Sequence, residues 1–406
     1  LNLFMDIRCI LGTIRSVLKS EGIVEGGTGA MAAQECNKKK LLIVTNHSYM
    51  LYRFRKELIQ RLMEDYEVVI STPFVGHEED LQELGAHCIE TEVDRRSVNP
   101  VTDLRLLRTY KKILKRENPD LVITYSIKPN IYAGYLCGKM KIPFLANVQG
   151  LGTAFQKPVL SDMVTVMYRT ALRKVEKVIF ENQANAQEFK KRRILSEEKE
   201  VVLHGAGINL EEYRYRFYPN NEKIHFLYLG RIMKEKGMDE LFGAIERLRK
   251  DGCEFVLDLV GFFEEEYKKK VEYLQKEGIV RFYGFQEDPK PFYAQADCVV
   301  LPSYHEGMSN VLLEAAASGR AIITTDIPGC REAVDNGKNG MLCRVKSADS
   351  LYKAMKRFTE LSRDKREAIG KAGREKMEKE FDKNQVVEET VKVITGNRSK
   401  QERGRL

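Results

Sequence analysis

The sequence predicts an α/β protein with two doubly wound domains, each a parallel sheet with helices on both faces. From Lys38 onward, strand-like and helix-like segments alternate, and the alternation starts again after about residue 222. This pattern is typical of parallel sheets, whose successive strands are joined by helices. The 406 residues are too many for a single core, and a hydrophobic content of 43% with a charged content of 31% is typical of a globular protein.

The individual elements follow from apolar runs and helical spacing. In the first half, the predicted elements are strand 41–45, helix 53–63, strand 67–71 and strand 121–124. In the second half, they are strand 225–229, helix 239–250, strand 255–260 and strand 297–301. Residues 204–209 form a glycine-rich turn between the halves, so we place the junction within 201–213.

A further strand, loop and helix are predicted late in the second half. The apolar run 298–302 ends in proline, as a buried strand that stops would. Ser309 or Asn310 can cap a helix that continues over 311–317, and Gly319 is placed to end it. In an open α/β sheet this loop lies at the carboxyl end of a strand, where ligands bind and free N–H groups favour anions. A sugar diphosphate fits such a loop.

Two glutamates, Glu306 in the loop and Glu314 in the helix, are the candidate ligands of that sugar. The alternative is that Glu306 is a solvated loop residue and Glu314 a surface carboxylate. Glu314, however, lies in the run Val-Leu-Leu-Glu-Ala-Ala-Ala, where a charge needs a partner. Sugar hydroxyls are suitable partners.

This Glu-x7-Glu segment, with Pro-Ser before it and Gly-Arg-Ala-Ile-Ile-Thr-Thr after it, resembles the retaining glycosyltransferases of family 4. The resemblance implies the GT-B fold, in which two Rossmann-like domains face a cleft. It assigns 38–208 to an acceptor-binding domain and 209–385 to a nucleotide-sugar-binding domain. Residues 386–406 would then hold a helix that returns towards the first domain, and a tail.

The resemblance also implies roles for the donor site. Glu306 would act in catalysis by holding the hydroxyls of the donor sugar, and Glu314 would hold the ribose. The segment 283–286 resembles the loop that receives the base, which gives Phe285 a place in the site. The remaining donor-binding candidates around the helix start are Gly307, Met308, Ser309 and Asn310.

A second group of residues supports the donor site. Gly230 and Arg231 follow the predicted strand 225–229, and Lys236 comes five residues later. These cations could be ordinary surface charges. A glycine at a strand end, however, lets a backbone and a cation approach a ligand closely, and two cations would neutralise a diphosphate. The family uses an arginine and a lysine here, so we predict that both act in catalysis.

No Asp-x-Asp triplet occurs in the sequence, so the metal-binding signature of the other major glycosyltransferase fold is absent. We therefore expect no metal and no cofactor, with a UDP-sugar as substrate. The leaving-group charge would be stabilised by Arg231, Lys236 and the N–H groups of 307–309.

The amino-terminal half departs from the family pattern in two loops. Residues 46–50 lack the glycine pair that many relatives have, and 147–152 lack a histidine that many have near the active site. Both loops, with 126–130, resemble a branch that extends polyprenyl-diphosphate-linked sugars. His47 is the remaining catalytic candidate, or simply a loop residue. The acceptor-side candidates are Asn46, Lys128, Gln149, Gly150 and Gly152.

The amino-terminal half also carries most of the positive charge. Residues 38–208 contain 28 Lys and Arg against 21 Asp and Glu, and the whole chain has a net charge of +8. Clusters lie at 53–56, 105–116 and 189–193. Basic residues beside apolar ones favour an anionic membrane surface, although charge runs are usually solvated faces. No nucleic-acid-binding motif accompanies the charge, so nucleic acid is not an expected partner.

Residues 1–37 are predicted to lie outside the catalytic core. A basic amphipathic helix over 6–23, followed by a glycine-rich stretch, resembles the carboxyl tail of bacterial sugar-phosphate transferases. The segment is then a fused tail, or a leader that precedes a true start at Met31.

Together these features predict a retaining transferase that moves a hexose or N-acetylhexosamine from a UDP-sugar to a polyprenyl-diphosphate-linked sugar. No run of 18 apolar residues occurs, so we expect a cytoplasmic enzyme at the inner face of the cell membrane. A UDP-sugar epimerase of the same fold is one alternative, and a catalytically silent nucleotide-sugar-binding partner is another.

Overall fold

The computed structural model describes residues 38–94, 99–152, 155 and 158–396. By compactness the chain divides into Leu1–Lys39 and Lys40–Leu406. The predicted leader or fused tail, 1–37, lies outside the described residues, as does the tail beyond 396. Lys40–Leu406 contains two parallel sheets. Each sheet with the helices packed on it is called a lobe, and the two are numbered in sequence order as the first lobe and the second lobe.

The first lobe has a seven-stranded sheet. Its strands are β1 (Lys39–Val44), β2 (Tyr66–Thr72), β3 (His87–Glu90), β4 (Leu121–Tyr125), β5 (Phe144–Val148), β6 (Lys177–Phe180) and β7 (Glu200–Val202). Its helices are α1 (Ser48–Met63), α2 (Glu78–Glu83), α3 (Pro100–Glu117), α4 (Ile127–Met140), α5 (Pro158–Ala171) and α6 (Gln183–Lys191). The strand order is β3-β2-β1-β4-β5-β6-β7, with neighbouring strands parallel, so the strand order reverses between β1 and β4.

The second lobe has a six-stranded sheet. Its strands are β8 (Ile224–Leu229), β9 (Phe255–Val260), β10 (Val280–Gly284), β11 (Cys298–Leu301), β12 (Ala321–Thr325) and β13 (Gly340–Cys343). Its helices are α7 (Met238–Lys250), α8 (Lys268–Lys276), α9 (Lys290–Gln295), α10 (Asn310–Ala317), α11 (Ala348–Thr359) and α12 (Arg363–Glu380). The order β10-β9-β8-β11-β12-β13 reverses between β8 and β11. The predicted fold of two doubly wound sheets is confirmed.

Both sheets consist mainly of fully buried apolar strands, because helices cover both faces. The first lobe has one hydrophobic cluster on each face of its sheet, and the second lobe has one large cluster around β8, β11 and β12. Ligands of open α/β sheets bind where the strand order reverses, at the carboxyl ends of the strands. Most of the predicted site residues follow β1, β4, β8 and β11, which flank these two points, and the others follow β5 and β10.

One predicted helix begins earlier than expected. Residues 46–50 were expected to form a loop and the helix to begin at Arg53, but α1 begins at Ser48. The buried Leu51 extends its apolar face, and the Ser48 hydroxyl donates to the carbonyl of Gly76 at 2.7 Å. Of residues 46–50, only Asn46 and His47 therefore remain in the loop after β1.

The last helix, α13 (Lys383–Gly396), follows the second lobe in sequence but packs on the first lobe. Its residues Val387, Val391 and Ile394 share a hydrophobic cluster with Leu58 and Ile59 of α1. Burial of these aliphatic side chains, each contributing roughly 1.5 to 3 kcal/mol, stabilises the packing of α13 on α1.

Candidate active site

The loop between β11 and α10, residues 302–309, carries Glu306 and is called the donor loop below. Ser309 occupies the N-cap position of α10 in an extended conformation, but its side chain makes no capping hydrogen bond. Its backbone N–H donates to the carbonyl of Gly329 at 2.9 Å. This amide is therefore already used, which corrects the expectation that the N–H groups of 307–309 all face a diphosphate.

Lys236 and Glu306 are brought together as an ion pair. The Lys236 Nζ lies 2.5 Å from Glu306 Oε1, and the Ser303 hydroxyl donates to the same oxygen at 2.7 Å. Both charged side chains are mostly shielded, with 17% and 14% of their surface exposed. Lys236, predicted to bind the diphosphate, and Glu306, predicted to bind the sugar, are therefore in direct contact at a partially buried position.

Lys236 is positioned by a short 3-10 turn, Lys234–Lys236, that ends at Gly237. Gly237 has a left-handed φ of 74°, and a Cβ there would lie 2.1 Å from the carbonyl oxygen of Pro302. Only glycine fits both the conformation and the approach. The turn after β8 therefore packs directly against the start of the donor loop.

Arg231 is engaged by a carboxylate that the sequence did not single out. Its Nη1 lies 2.6 Å from Glu264 Oε2, and its side chain is 43% exposed. Arg231 and Glu306 both act electrostatically on the buried Tyr228. Burial raises the pKa of this phenol, the charge of Glu306 raises it further, and Arg231 opposes them. Arg231 and Glu306 are therefore both near enough to Tyr228 for their charges to act on it, but the ion-pair partner of Arg231 is Glu264.

Glu314 is buried on α10 and has protein partners. The Tyr293 hydroxyl donates to its Oε2 at 2.8 Å, and Tyr213 is a second hydrogen-bond partner. Burial raises the pKa of Glu314, and these hydrogen bonds with the charge of Arg53 oppose the rise. The sequence indicated that this carboxylate needs partners and suggested sugar hydroxyls; the structure adds two tyrosines, which the sequence did not reveal.

The predicted base loop, at the end of β10, exposes the ring of Phe285 beside an exposed ring from the loop after β9. Phe285 is 58% exposed, and its ring centroid lies 6.4 Å from that of Phe262, which is 47% exposed. Gly230 adjoins this region, because its N–H donates to the carbonyl of Val260 at 3.0 Å. Exposed aromatic faces of this kind suit a planar base. Phe262 was missed because nothing in its local sequence marks it.

Asn46 and Gln149 meet on the first lobe through Ser126. The Ser126 hydroxyl lies 2.9 Å from Asn46 Oδ1 and 3.5 Å from Gln149 Oε1. Ser126 has a φ of 75°, a strained conformation for a residue other than glycine. Asn46, Ser126 and Gln149 follow the carboxyl ends of β1, β4 and β5, so they lie at the point where the strand order reverses.

The remaining first-lobe candidates are spread along the same edge. His47 is the N-cap residue of α1, and its ring centroid lies 6.2 Å from that of Tyr49.

Lys128 is paired with Asp103 at 2.7 Å, beside a cavity of about 310 Å³. Gly152 has a φ of 64°. The cavity is lined by four carboxylates, Glu90, Glu92, Asp94 and Asp103, by the cations Arg105 and Lys128, and by threonine and leucine side chains.

The two lobes meet at Gly150 and Gly307. A Cβ on Gly150 would lie 3.5 Å from the Cα of Gly307, and Met308 packs against Gly205 in the turn that joins the lobes. Behind this contact lies a buried ion pair that the sequence did not reveal, in which Arg55 Nη2 is 2.5 Å from Glu181 Oε1. The donor loop is therefore held from both lobes.

Comparison with known proteins agrees with this geometry. Residues 40–182 match the family described as "Glycosyl transferase 4-like", and residues 211–376 match "Glycosyl transferases group 1". Solved structures with the same fold include a glycosyltransferase from Rickettsia africae, with a TM-score of 0.71 at 20% identity, covering 89% of this chain and 98% of that one. Anabaena HepE in complex with UDP-glucose has a TM-score of 0.72 at 17% identity, covering 88% and 99%. These neighbours show that the chain has the GT-B fold, and the two family matches identify it as a glycosyltransferase.

Relatives found by sequence similarity are also glycosyltransferases by name. An N,N'-diacetylbacillosaminyl-diphospho-undecaprenol alpha-1,3-N-acetylgalactosaminyltransferase of Campylobacter jejuni is 31% identical, over 74% of this chain and 84% of that protein. A capsular polysaccharide biosynthesis glycosyltransferase of Staphylococcus aureus is 24% identical, over 86% and 94%. The chain is an enzyme that belongs to the family 4 glycosyltransferases.

Proposed function

We propose that this glycosyltransferase is retaining and independent of metal, and that it transfers a hexose or N-acetylhexosamine from a UDP-sugar. The observation that carries the proposal is the Lys236–Glu306 pair, which lies between the ends of β8 and β11, at the reversal of the second sheet. A donor bound there has its diphosphate at the lysine and its sugar at the carboxylate.

The charge that develops on the leaving diphosphate needs fixed positive groups. Lys236 supplies one, and Arg231 supplies another once a diphosphate takes the place of Glu264. Glu306 can turn from Lys236 to the sugar hydroxyls, while Ser303 keeps its carboxylate oriented. These residues stabilise the leaving group without a metal ion.

The uridine would lie between α10 and the base loop. Glu314 would hold the ribose with whichever oxygen its tyrosine partners leave available, and Phe285 would stack on the base. Arg53 of the first lobe donates to Tyr213 at 3.0 Å, so the ribose pocket is completed only when the lobes are together.

The acceptor is proposed to be a polyprenyl-diphosphate-linked sugar. The Campylobacter jejuni relative acts, by its name, on such a lipid. On the first lobe, Asn46, Gln149 and the carboxylate-lined cavity beside Lys128 offer acceptors of hydrogen bonds to sugar hydroxyls. The four carboxylates of this cavity outnumber its two cations, Arg105 and Lys128, and repel a diphosphate, so the cavity would receive the sugar end of the lipid.

The lipid requires the enzyme to work at a membrane surface, which we propose is the inner face of the cell membrane. Within the described residues, no helix combines the length and apolarity needed to cross a bilayer. The outer face of α3 instead exposes Val101 and Leu104, 68% and 48% exposed, followed along the helix by cations. The exposed cations on this face are Arg105, Arg108, Lys111, Lys112 and Lys115.

The other two basic clusters are less suited to this surface. In 53–56, Arg55 is buried against Glu181, and Lys56 lies 3.6 Å from Glu212. In 189–193, Lys190 is paired with Glu197, and Arg192 is paired with Glu188 at 2.5 Å. The α3 face is therefore the better candidate for contact with an anionic membrane.

The test is a transfer assay with a panel of UDP-sugars and a synthetic polyprenyl-diphosphate-linked sugar, with products identified by mass spectrometry. We expect one extended lipid product and unchanged activity in EDTA. The anomeric carbon of the transferred sugar should keep the configuration that it had in the donor. Glu306→Gln is the matched control for background hydrolysis. Loss of activity in EDTA with recovery in magnesium would contradict the metal-free mechanism. Release of UDP with an altered free sugar would support the epimerase instead.

A further inference from the structure

Asn182, directly after β6, reaches across the cleft to the donor loop. Its Nδ2 donates to the carbonyl of Gly307 at 2.6 Å, and the residue is only 2% exposed. It is a direct side-chain contact from the first lobe to the peptide next to Glu306.

The same peptide is closely covered by a second part of the first lobe. A Cβ on Gly307 would lie 2.0 Å from the carbonyl oxygen of Gln149 and 3.7 Å from Glu181 Oε2. No larger residue fits at 307 without moving the lobes apart. The contact of Asn182 with Gly307 therefore exists only in this closed arrangement.

A buried ion pair supports the contact from behind. Arg55 pairs with Glu181 and also donates to the carbonyl of Gly205 at 3.3 Å. Gly205 in turn packs on Met308, since a Cβ there would lie 2.8 Å from Met308 Cγ. Residues 307 and 308 are thus held from α1, β6 and the turn between the lobes together.

We propose that Asn182 is a positioning residue for sugar transfer. By holding the Gly307 peptide it holds Glu306, one residue earlier, in place beside Lys236 once the lobes have closed. This inference rests on the proposed role of Glu306 and Lys236 in donor binding. Because a misplacement of about 1 Å can cost about a hundredfold in rate, loss of the contact should lower kcat.

The side chain of Asn182 has two functions that one substitution separates. Its Oδ1 accepts from the N–H of Asn185 at 2.9 Å and caps α6, while its Nδ2 makes the contact across the cleft. Aspartate caps helices as well as asparagine does. Asn182→Asp therefore keeps the cap but places a carboxylate oxygen against the carbonyl of Gly307.

We expect Asn182→Asp to lower kcat at least about tenfold, with UDP affinity by calorimetry within about threefold of wild type. Its Tm should stay within about 2 °C, because the cap remains. Asn99→Asp is the matched control. Asn99 caps α3 by accepting from Val101 N–H at 2.9 Å, is exposed, and should change neither kcat nor Tm.

Gly307→Ala tests the same contact from the other side, because its methyl group meets Gln149. It should reproduce the loss of kcat, and the double variant should be little worse than either single variant, as expected for one shared contact. Asn182→Asp with kcat within about threefold of wild type would overturn the proposal. So would parallel losses of Tm and UDP affinity, which would indicate a role in folding.

Small-angle X-ray scattering provides a readout that needs no identified donor. Asn182→Asp should have a larger radius of gyration than wild type and than Asn99→Asp, and an equal radius would overturn the proposal. Failure of the wild type to transfer any sugar would contradict the proposed function instead, and scattering would still decide whether Asn182 holds the lobes together.

Discussion

At the scale of single residues, Lys236 and Glu306 are separated by 70 positions in sequence and by 2.5 Å between Nζ and Oε1. The pair exists because the turn after β8 and the loop after β11 emerge side by side from adjacent strands. Partial burial makes such a pair stronger than one on the surface. The structure thus orients Lys236 before any donor binds.

Lys236→Ala should lower kcat about a hundredfold, because one group that stabilises developing charge is worth roughly 3 kcal/mol in a transition state. Arg231→Ala should act in the same direction, and in both variants kcat should fall more than UDP affinity. Lys234→Ala, in the same turn but exposed, is the control. Steady-state kinetics with turnover within about threefold of wild type in both variants would remove them from the mechanism.

Glu314 gives a prediction about pH. Burial raises its pKa, so the folded protein binds the proton more tightly than the unfolded chain does. The stabilisation from this proton is complete below the unfolded value of about 4.3 and is lost as the pH rises through the folded value. Relative to Glu314→Gln, which does not titrate there, the wild type should therefore lose Tm as the pH rises.

Thermal unfolding of both proteins between about pH 4.5 and 7, at constant ionic strength, measures this difference. A Tm difference that does not change with pH would contradict it. Calorimetry on the same samples tests the ribose contact, since Glu314→Gln should weaken UDP binding, and unchanged affinity would contradict that role.

At the scale of elements, the segments that could be predicted are those whose signals are local. The strand before Pro302, the helix after Ser309 and the end at Gly319 follow from residues within one turn of each other. Helix α10 (Asn310–Ala317) begins directly after Ser309, one of the two caps that the sequence predicted. The placement of Glu306 in a loop at a sheet edge followed from this. The start of α1 was missed, because its first turn is buried by a contact of Ser48 with Gly76 that lies 28 residues away.

The partners of the predicted residues could not be foreseen, because they depend on tertiary packing. Glu264 pairs with Arg231 from 33 positions away, Tyr293 with Glu314 from 21, and Asn182 with Gly307 from 125. None stands in a motif. Glu314 shows the limit clearly, because the sequence indicated that this carboxylate needs a partner but not which group provides it.

The α3 face provides the prediction at this scale. Replacement of Arg108, Lys111, Lys112 and Lys115 by glutamine should release the enzyme from anionic liposomes, because each basic residue near such a surface contributes about 1 kcal/mol. Binding by wild type should also weaken as salt rises. Transfer to a short-chain, water-soluble acceptor should be nearly unchanged.

The matched control replaces Lys190, Lys191, Arg192 and Arg193, where carboxylates already pair with Lys190 and Arg192. This set should release less protein in the sedimentation assay. Equal release by both sets, or binding to neutral and anionic liposomes alike, would show that the α3 face is not the membrane contact.

At the scale of the whole molecule, the last helix of the described residues, α13, packs on the lobe that holds the first described strand. Val387, Val391 and Ile394 of α13 belong to the hydrophobic cluster of α1, and Arg61 of α1 pairs with Glu388 at 3.1 Å. The stability of the first lobe therefore depends on residues that follow the second lobe.

Ile394→Ala should lower the free energy of unfolding by about 2 to 5 kcal/mol, because a buried isoleucine leaves a cavity when truncated. UDP affinity should be unchanged, since the proposed donor residues lie almost wholly on the second lobe. Lys392→Ala, on the exposed face of α13, should cost less than about 0.5 kcal/mol. A similar small effect of Ile394→Ala in denaturant titrations would show that α13 is not part of this core.

The two ion pairs of the donor site, Arg231–Glu264 and Lys236–Glu306, leave each cation already matched by an anion. A diphosphate therefore enters by exchange of partners rather than by attraction to a bare positive patch, and few bound counterions are displaced. Among the described residues, the cations Arg108, Lys111, Lys112 and Lys115 of the α3 face form no ion pair, and attraction there extends about one Debye length, near 10 Å at 0.1 M salt. Under the proposed function, the ionic strength of the medium would accordingly govern how the enzyme reaches a lipid-linked acceptor at a membrane, while barely affecting how it selects a nucleotide-sugar.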